Sequence, residues 1–330
     1  FYQTIEYIWH HREQFGFSMN RLYKSLNISK QSFHQMVDRK LKVYSEQKQI
    51  LLLIYQIRQD HPTMGIRDMY YKLRPQTMGR DRFEEFCLLE GLTVERAKNW
   101  RKTTDSSGVV RFDNLLKDKI LTSINQVWQS DITYFEVNGI FYYITLIMDS
   151  FSRRVLGYSV SKRLTTEQTT LPALKMSISL RVSENITIVG VIFHSDGGGQ
   201  YYDKEFLRIT SKSGIVNSMC EHPWENGKAE RLNGVVKNNY LIHRDIKSFE
   251  QLKKEVDRTV SLYNNEKPHI ALERKSPYEF EKAYLWNGQQ SDGDKSTTEL
   301  TTQNPEGISA LRAEDNNPSG SNITHELTTQ

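Results

Sequence analysis

Apolar positions change their period along this chain, and the change divides it before any single residue is weighed. Ile50, Leu53, Ile54 and Ile57 recur at i, i+3, i+4 and i+7, which predicts one face of a long helix. Ahead of it, Leu22, Leu26 and Phe33 flank a turn at Asn27, and Ser29 is placed to cap the helix that follows. Residues 1–44 are therefore expected to form a helix-turn-helix-like segment, with Ser29 to Arg39 as its recognition helix. From about residue 125 the period shortens. Asn138-Gly139 is a two-residue hairpin signal between a run from Ile132 to Val137 and another from Ile140 to Met148. In the second run both alternating sets are apolar, so that strand lies inside its sheet. Val155 to Val160, Ile186 to Phe193 and Val216 to Met219 complete the predicted strands. Thr165 with Gln168 predicts a capping box opening a helix that kinks or restarts at Pro172, and a further helix spans Asp203 to Lys212.

Three antiparallel strands, a helix, a strand, a helix and a strand is the order of an RNase H-like sheet. The expected fold class is α/β, a mixed five-stranded sheet preceded by all-α helix-turn-helix modules. Composition narrows the rest. No apolar run approaches the ~18 residues needed to cross a bilayer, and no signal-peptide pattern opens the chain, so neither membrane nor export is expected. Cys87 and Cys220, the only cysteines, exclude a disulfide framework and a Cys-x-x-Cys zinc site. Position 1 is Phe and not a start methionine, which reads as a fragment or the downstream part of a longer fused product. The net charge of +4 hides an asymmetry: residues 286–330 carry two Lys/Arg against seven Asp/Glu, net −5, which leaves +9 for the remainder. That tail is rich in Ser, Thr, Asn, Gln and Gly and is expected to be disordered. A basic body suits a polyanionic partner.

Three carboxylates stand out by context. Asp131 lies in Trp128-Gln129-Ser130-Asp131-Ile132-Thr133-Tyr134, a strand; Asp196 follows a strand in Phe193-His194-Ser195-Asp196-Gly197; Glu230 lies where Asn226-Gly227-Lys228-Ala229-Glu230-Arg231 begins a helix. Brought to one point, they would repel by about 4 kcal/mol per pair at ~4 Å and an effective dielectric of ~20. Two Mg²⁺ ions held by oxygen ligands would remove that penalty and leave positions for water and a phosphate, with Mn²⁺ as a substitute.

The same strings carry a resemblance. His194-Ser195-Asp196-Gly197 and Asn226-Gly227-Lys228-Ala229-Glu230-Arg231-Leu232-Asn233 resemble the second and third blocks of the Asp-Asp-Glu retroviral integrase superfamily, and the 33 residues between Asp196 and Glu230 come close to its spacing. Within it the chain most resembles transposases of insertion-sequence family three, the product of the second reading frame. Met148-Asp149-Ser150-Phe151-Ser152-Arg153-Arg154, Gly214-Ile215 with Ser218-Met219, and Tyr263-Asn264-Asn265 with Lys267-Pro268-His269 extend the likeness over residues 15–282. Gly197-Gly198-Gly199 and a slightly short interval before Glu230 depart from the pattern in loops, where length costs little.

The resemblance implies a catalytic, metal-binding set of Asp131, Asp196 and Glu230, with Asp131 bridging both ions, Asp196 on one and Glu230 on the other. It implies a DNA transposase that nicks element ends to expose 3′-OH groups and joins them to another phosphodiester, by way of a circular intermediate. Its partners would be the inverted-repeat ends, target DNA, further copies of itself as a homo-oligomer on DNA, and an upstream-frame protein, in the cytoplasm with the nucleoid. His61-Pro62-Thr63-Met64-Gly65-Ile66-Arg67 resembles the second helix-turn-helix of these transposases, giving a second DNA-binding segment over 45–104, a linker over 105–123, a catalytic core over 124–285 and a tail over 286–330. In that segment Ile66, Met69 and Leu73 pack inward, Arg80 to Leu89 is the second helix, and Arg67, Arg74, Arg80 and Arg82 are available for phosphates. Lys30 and Gln31 serve the first recognition helix. Lys228, Arg231 and Lys237 are candidates for donor-end phosphates, Lys237 lying seven residues after Glu230 on the same face; a solvated helix face is the plainer alternative.

Neighbouring groups are assigned duller roles. Asp149 is expected to be structural, Glu225 to help start a helix, and His194 to be bonded within its strand end. Two other functions stay open: a non-catalytic DNA-binding regulator derived from such an element, and an RNase H-type nuclease without strand transfer. The three carboxylates argue against the first and the N-terminal modules against the second.

Overall fold

The computed structural model describes residues 7–94 apart from 15 and 17, and residues 112–286 apart from 118. The expected acidic tail beyond residue 286, residues 105–111 and 118 of the linker, and the basic run from Arg96 to Lys102 ahead of it lie outside them. The sheet and the helices before and around it belong to one compact unit, Phe1–Ala283.

The N-terminal part is helical. Ser18 caps α1 (Met19–Ser25), Asn27 turns the chain at φ +52°, and the Ser29 hydroxyl accepts from the Ser32 amide at 3.0 Å to start α2 (Lys30–Asp60). No Gly or Pro interrupts α2, so one 31-residue helix runs straight through the boundary expected between residues 44 and 45. Its first half packs Phe33 and Val37 on Tyr23 of α1. Its second half packs Ile50 and Ile54 against Met69 of α3 (Ile66–Leu73) and Phe83, Phe86 and Cys87 of α4 (Arg80–Leu89). Ile66 and Leu73 flank this cluster as expected. Leu53 does not join it and is 45% exposed, because the inward stripe centres on Ile50, Ile54 and Ile57 and leaves it at the margin.

Five strands follow: β1 (Val127–Val137), β2 (Ile140–Asp149), β3 (Val155–Ser161), β4 (Ile192–Ser195) and β5 (Val216–Met219), in the order β3-β2-β1-β4-β5. β1, β2 and β3 are antiparallel, and β4 and β5 run parallel to β1, which is the RNase H-like arrangement. β2 is interior, as its two apolar faces require. Asn138 and Gly139 both take positive φ in the predicted hairpin.

Two elements differ from expectation. The fourth strand begins at Ile192 and not at Ile186, since Asn185 (φ +56°) and Gly190 (φ +82°) turn residues 186–191 off the helix before them. Thr165 and Gln168 form a turn and not a capping box; α5 (Thr170–Ser183) starts two residues later, with Pro172 in its first turn, where its missing N–H has no partner to lose.

Helices cover both faces. Trp128, Ile147, Leu156 and Phe193 pack under α5 and α6 (Lys204–Lys212); a side chain at Gly157 would strike the Ala173 carbonyl of α5 at 2.2 Å, so the close β3–α5 approach requires glycine. Ile144, Leu146 and Met148 pack under α7 (Gly227–Gly234), the π-helical turn Val235–Tyr240 that continues it, and α8 (Phe249–Asn265). The helical part is bonded to this second layer: Arg244 donates to the Gln59 and Asp60 carbonyls, Lys72 pairs with Glu266 at 2.8 Å, and buried His61 meets the Tyr240 hydroxyl at 2.9 Å.

Candidate active site

Parallel pairing of β1 with β4 aligns Gln129 with His194, so Asp131 and Asp196, each two residues further on, come side by side at the edge where β4 ends. Asp131 lies on the face covered by α7. Its carboxylate accepts from the Asn233 amide of α7 at 2.9 Å and from the Ile132 backbone at 2.9 Å. Asp196 accepts from the Gly198 backbone at 3.2 Å. The loop between needs Gly197, at φ +83°, where a side chain would meet the Met219 methyl at 2.1 Å.

Neither aspartate forms an ion pair among the described residues. Burial pushes Asp131 up to about 7, with the Asp196 charge adding to it and Glu230 contributing least; burial likewise raises Asp196. Glu230 sits exposed on α7, close enough for its charge to reach Asp131. The expected convergence is thus uneven: the two aspartates are paired, while among the described residues no three His, Cys, Asp or Glu side chains close round one point.

α7 is fastened by groups that the sequence reading passed over. The Asn226 amide donates to the Ser130 carbonyl at 2.9 Å, and Ser130 in turn bonds the Tyr201 hydroxyl at 2.9 Å. Asn226 and Asn233 are buried, and each keeps an amide oxygen without a partner. Asn is a poor helix former, and its place at the start and in the body of a helix was the available signal. Glu225 accepts from the backbones of Glu221 and His222 in the turn before α7, the helix-starting role expected of it. His194 is buried with Nδ1 on the Ser218 hydroxyl at 3.0 Å, and burial pushes it down to about 4, so it stays neutral. Asp149 is a structural anchor, accepting from Asn125, Phe151 and Ser152.

The expected DNA-contact residues fall into two groups. Lys30 and Gln31 are exposed at the start of α2. Arg67 is exposed but forks onto Glu84 at 2.9 and 3.2 Å, and Arg80 pairs with Asp81 at 2.8 Å, so both already hold carboxylates. Closer to the aspartates, Lys237 lies 4.7 Å from the Tyr134 ring centre, lowered by burial and raised by Asp131. Lys228 donates to the Ser150 carbonyl at 3.2 Å and is pushed down to about 8 by burial and by Arg153, while Arg231 is exposed.

Residues 122–222 match the integrase core domain family, and residues 213–277 match a second integrase core domain family. The chain is 26% identical over 231 residues to the transposase for insertion sequence element IS629 of Shigella sonnei, covering 68% of this chain and 76% of that one. These matches make the chain an insertion-sequence transposase with an integrase core domain. It is also 27% identical over 258 residues to the insertion element IS600 31 kDa protein of Shigella sonnei, covering 76% of the transposase described here and 92% of that protein. To the putative transposase InsK for element IS150 of Escherichia coli it is 25% identical over 187 residues, 56% of this chain and 64% of the other. Among solved structures, the HTLV-2 integrase catalytic core domain in complex with magnesium is 21% identical, with a TM-score of 0.39, over 48% of the transposase and 97% of that chain. No helix among the described residues is long and apolar enough to cross a membrane.

Proposed function

We propose that the transposase cuts and joins DNA at the Asp131–Asp196 pair, with Glu230 as the third carboxylate, and that these three residues bind a divalent metal. The observation that carries this reading is the pairing itself: two half-buried carboxylates lie side by side with no ion-pair partner among the described residues, and Asp131 is raised to about 7. Such an arrangement is costly unless a cation joins it. The donors are all carboxylate oxygens, which fit a hard ion such as Mg²⁺, two ions in this reading, with Mn²⁺ as a substitute. When bound, the metal supplies an activated attacking oxygen and charge stabilisation at the leaving 3′ oxygen.

The chain's own residues do the positioning. Asn233 fixes the Asp131 carboxylate, and Asn226 ties α7, with Glu230 on it, to β1. Lys237, near Asp131 and over Tyr134, holds a positive charge where a scissile phosphate would come. Residues 1–104 serve recognition of the element ends, residues 124–285 the chemistry, and further copies of the chain assemble on the DNA.

Alanine at Asp131, Asp196 or Glu230 should abolish cleavage and joining of end-bearing DNA in a strand-transfer assay while DNA binding persists, and Glu225→Ala should largely keep activity. An essential Glu225 with a dispensable Glu230 would show that the third carboxylate is misassigned, and undiminished turnover in excess EDTA would remove the metal.

A further inference from the structure

The turn between β2 and β3 gathers positive charge beyond the DNA-contact candidates Lys228 and Arg231 beside it. Asp149 pins this turn by accepting from the Asn125, Phe151 and Ser152 backbones and the Ser152 hydroxyl. Within it Arg153 and Arg154 diverge. Arg154 is buried and paired with Glu184 and Glu281, both at 2.7 Å. Arg153 takes a left-handed backbone, φ +63°, which costs a non-glycine residue about 1 kcal/mol or more unless its surroundings impose it.

Two helices clamp the turn. Lys228 at the start of α7 donates to the Ser150 carbonyl at 3.2 Å, and Asn264 at the end of α8 bonds both backbone groups of Val155, at 2.9 and 2.8 Å. Beside Asn264, buried Tyr263 meets the His269 ring edge-on at 4.9 Å. The clamp therefore brings together Arg153, Lys228 and Arg231 from one side and Lys267 and His269 from the other. Their charges act on one another. Arg153 is lowered by burial and then by Arg231; His269 is pushed down to about 3 by burial, then by Lys267 and Arg153.

Asp149 is the acid whose charge reaches Arg153 and Lys228, but among the described residues no carboxylate is paired with this group. Among the described residues Arg153, Arg231 and Lys267 have no side-chain hydrogen bond or ion pair, and the His269 Nε2 is buried without a partner. Asp149 is saturated by the turn, and Asp68, the acid that acts on Lys267, is paired with Arg274. Arg153, Lys228 and Lys267 are half-buried cations without a paired internal anion among the described residues, which is the setting of a site for an external one.

We propose that Arg153 and Lys267, with Lys228, Arg231 and His269 beside them, form a subsite that grips a DNA backbone phosphate flanking the scissile position. The location favours DNA: Lys228 and Arg231 flank Glu230 in sequence, and the Ser150 hydroxyl donates to Gln129, which lies two residues before Asp131, roughly 7 Å along the strand. This inference rests on the catalytic reading for what the neighbouring aspartates do, but its test does not.

The test measures binding of the full chain to a short fluorescein-labelled duplex by anisotropy, in EDTA so that no chemistry intrudes, over a range of salt. Arg153→Gln and Lys267→Gln should each flatten the log–log slope of affinity against salt by about 0.9 and weaken binding several-fold at low salt, while Arg153→Lys keeps the slope. An unchanged slope in folded Arg153→Gln and Lys267→Gln, judged by their thermal unfolding, overturns the proposal; should Arg153→Gln not fold, Lys267→Gln decides alone. If instead Asp131→Ala still cleaved DNA while Arg153→Gln flattened the slope, the catalytic reading would fall and the phosphate subsite would stand.

Discussion

Two regions of this transposase bury carboxylates, and the chain completes only one of them. Behind β2 and β3, Glu281 is almost wholly buried between Arg154 and Arg181, with Glu184 on the rim of the same network. Burial alone would raise Glu281, but hydrogen bonding and charge from Arg181, with Arg154, bring it below the usual carboxylate range. At the edge where β4 ends, Asp131 and Asp196 have a comparable need and receive only amide donors, so burial and mutual repulsion leave Asp131 high. The first region is a strut whose charges are balanced inside the fold. The second is left one partner short, which is what the proposed metal site would require.

The contrast can be broken in order of effect. Glu281→Ala strands two buried guanidiniums and should cost about 3–5 kcal/mol in chemical denaturation; a loss of a few tenths would mean the strut is not one. Asp131→Asn should act with the opposite sign. A carboxylate whose folded pKa is raised keeps its stability contribution at low pH and loses it as pH rises toward about 7, so near neutral pH the charged group is a burden. Removing it should stabilise the metal-free protein, on the order of 2 kcal/mol at about pH 8, with the gain gone by about pH 4. A destabilised variant at high pH would erase the distinction between the regions.

A buried base sharpens the comparison further. His269 is depressed to about 3, so its contribution is fully present above its unfolded pKa of ~6.5 and is lost as pH falls below that. His269→Gln should flatten the acid side of a stability-versus-pH curve by roughly 1 kcal/mol between about pH 6.5 and pH 5. An unaltered curve would place the acid sensitivity elsewhere. The smallest effect belongs to the surface: Arg67→Gln, which breaks an exposed pair with Glu84, should leave the thermal unfolding midpoint where it was.

Much of this was legible in the sequence because it rests on local rules. Asn138-Gly139 announced its hairpin, the doubly apolar run from Ile140 to Met148 announced an interior strand, and Ser29 announced a helix cap. What failed was set by tertiary context. The start of β4 depended on Gly190 turning the chain, and the break expected near residue 44 had no residue able to end a helix. Asp131 and Asp196 were found by context and lie together. Asn233, which holds Asp131, was not, since nothing in a helical Asn predicts which carboxylate it will face. Lys228 and Arg231 were read as phosphate candidates, but their meeting with Arg153 and Lys267 was hidden, because residues from 153 to 269 come together only after α7 and α8 fold onto the sheet.

The central claim is that the Asp131–Asp196 pair is kept at a cost to the fold because it performs the chemistry. Single-turnover cleavage of end-bearing DNA by purified Asp131→Asn in excess Mg²⁺ tests it most directly, run beside wild type on protein shown to be folded and DNA-bound. The account predicts a variant that is at least as stable as wild type, binds the DNA and yields no product above background. Cleavage near the wild-type rate would contradict it.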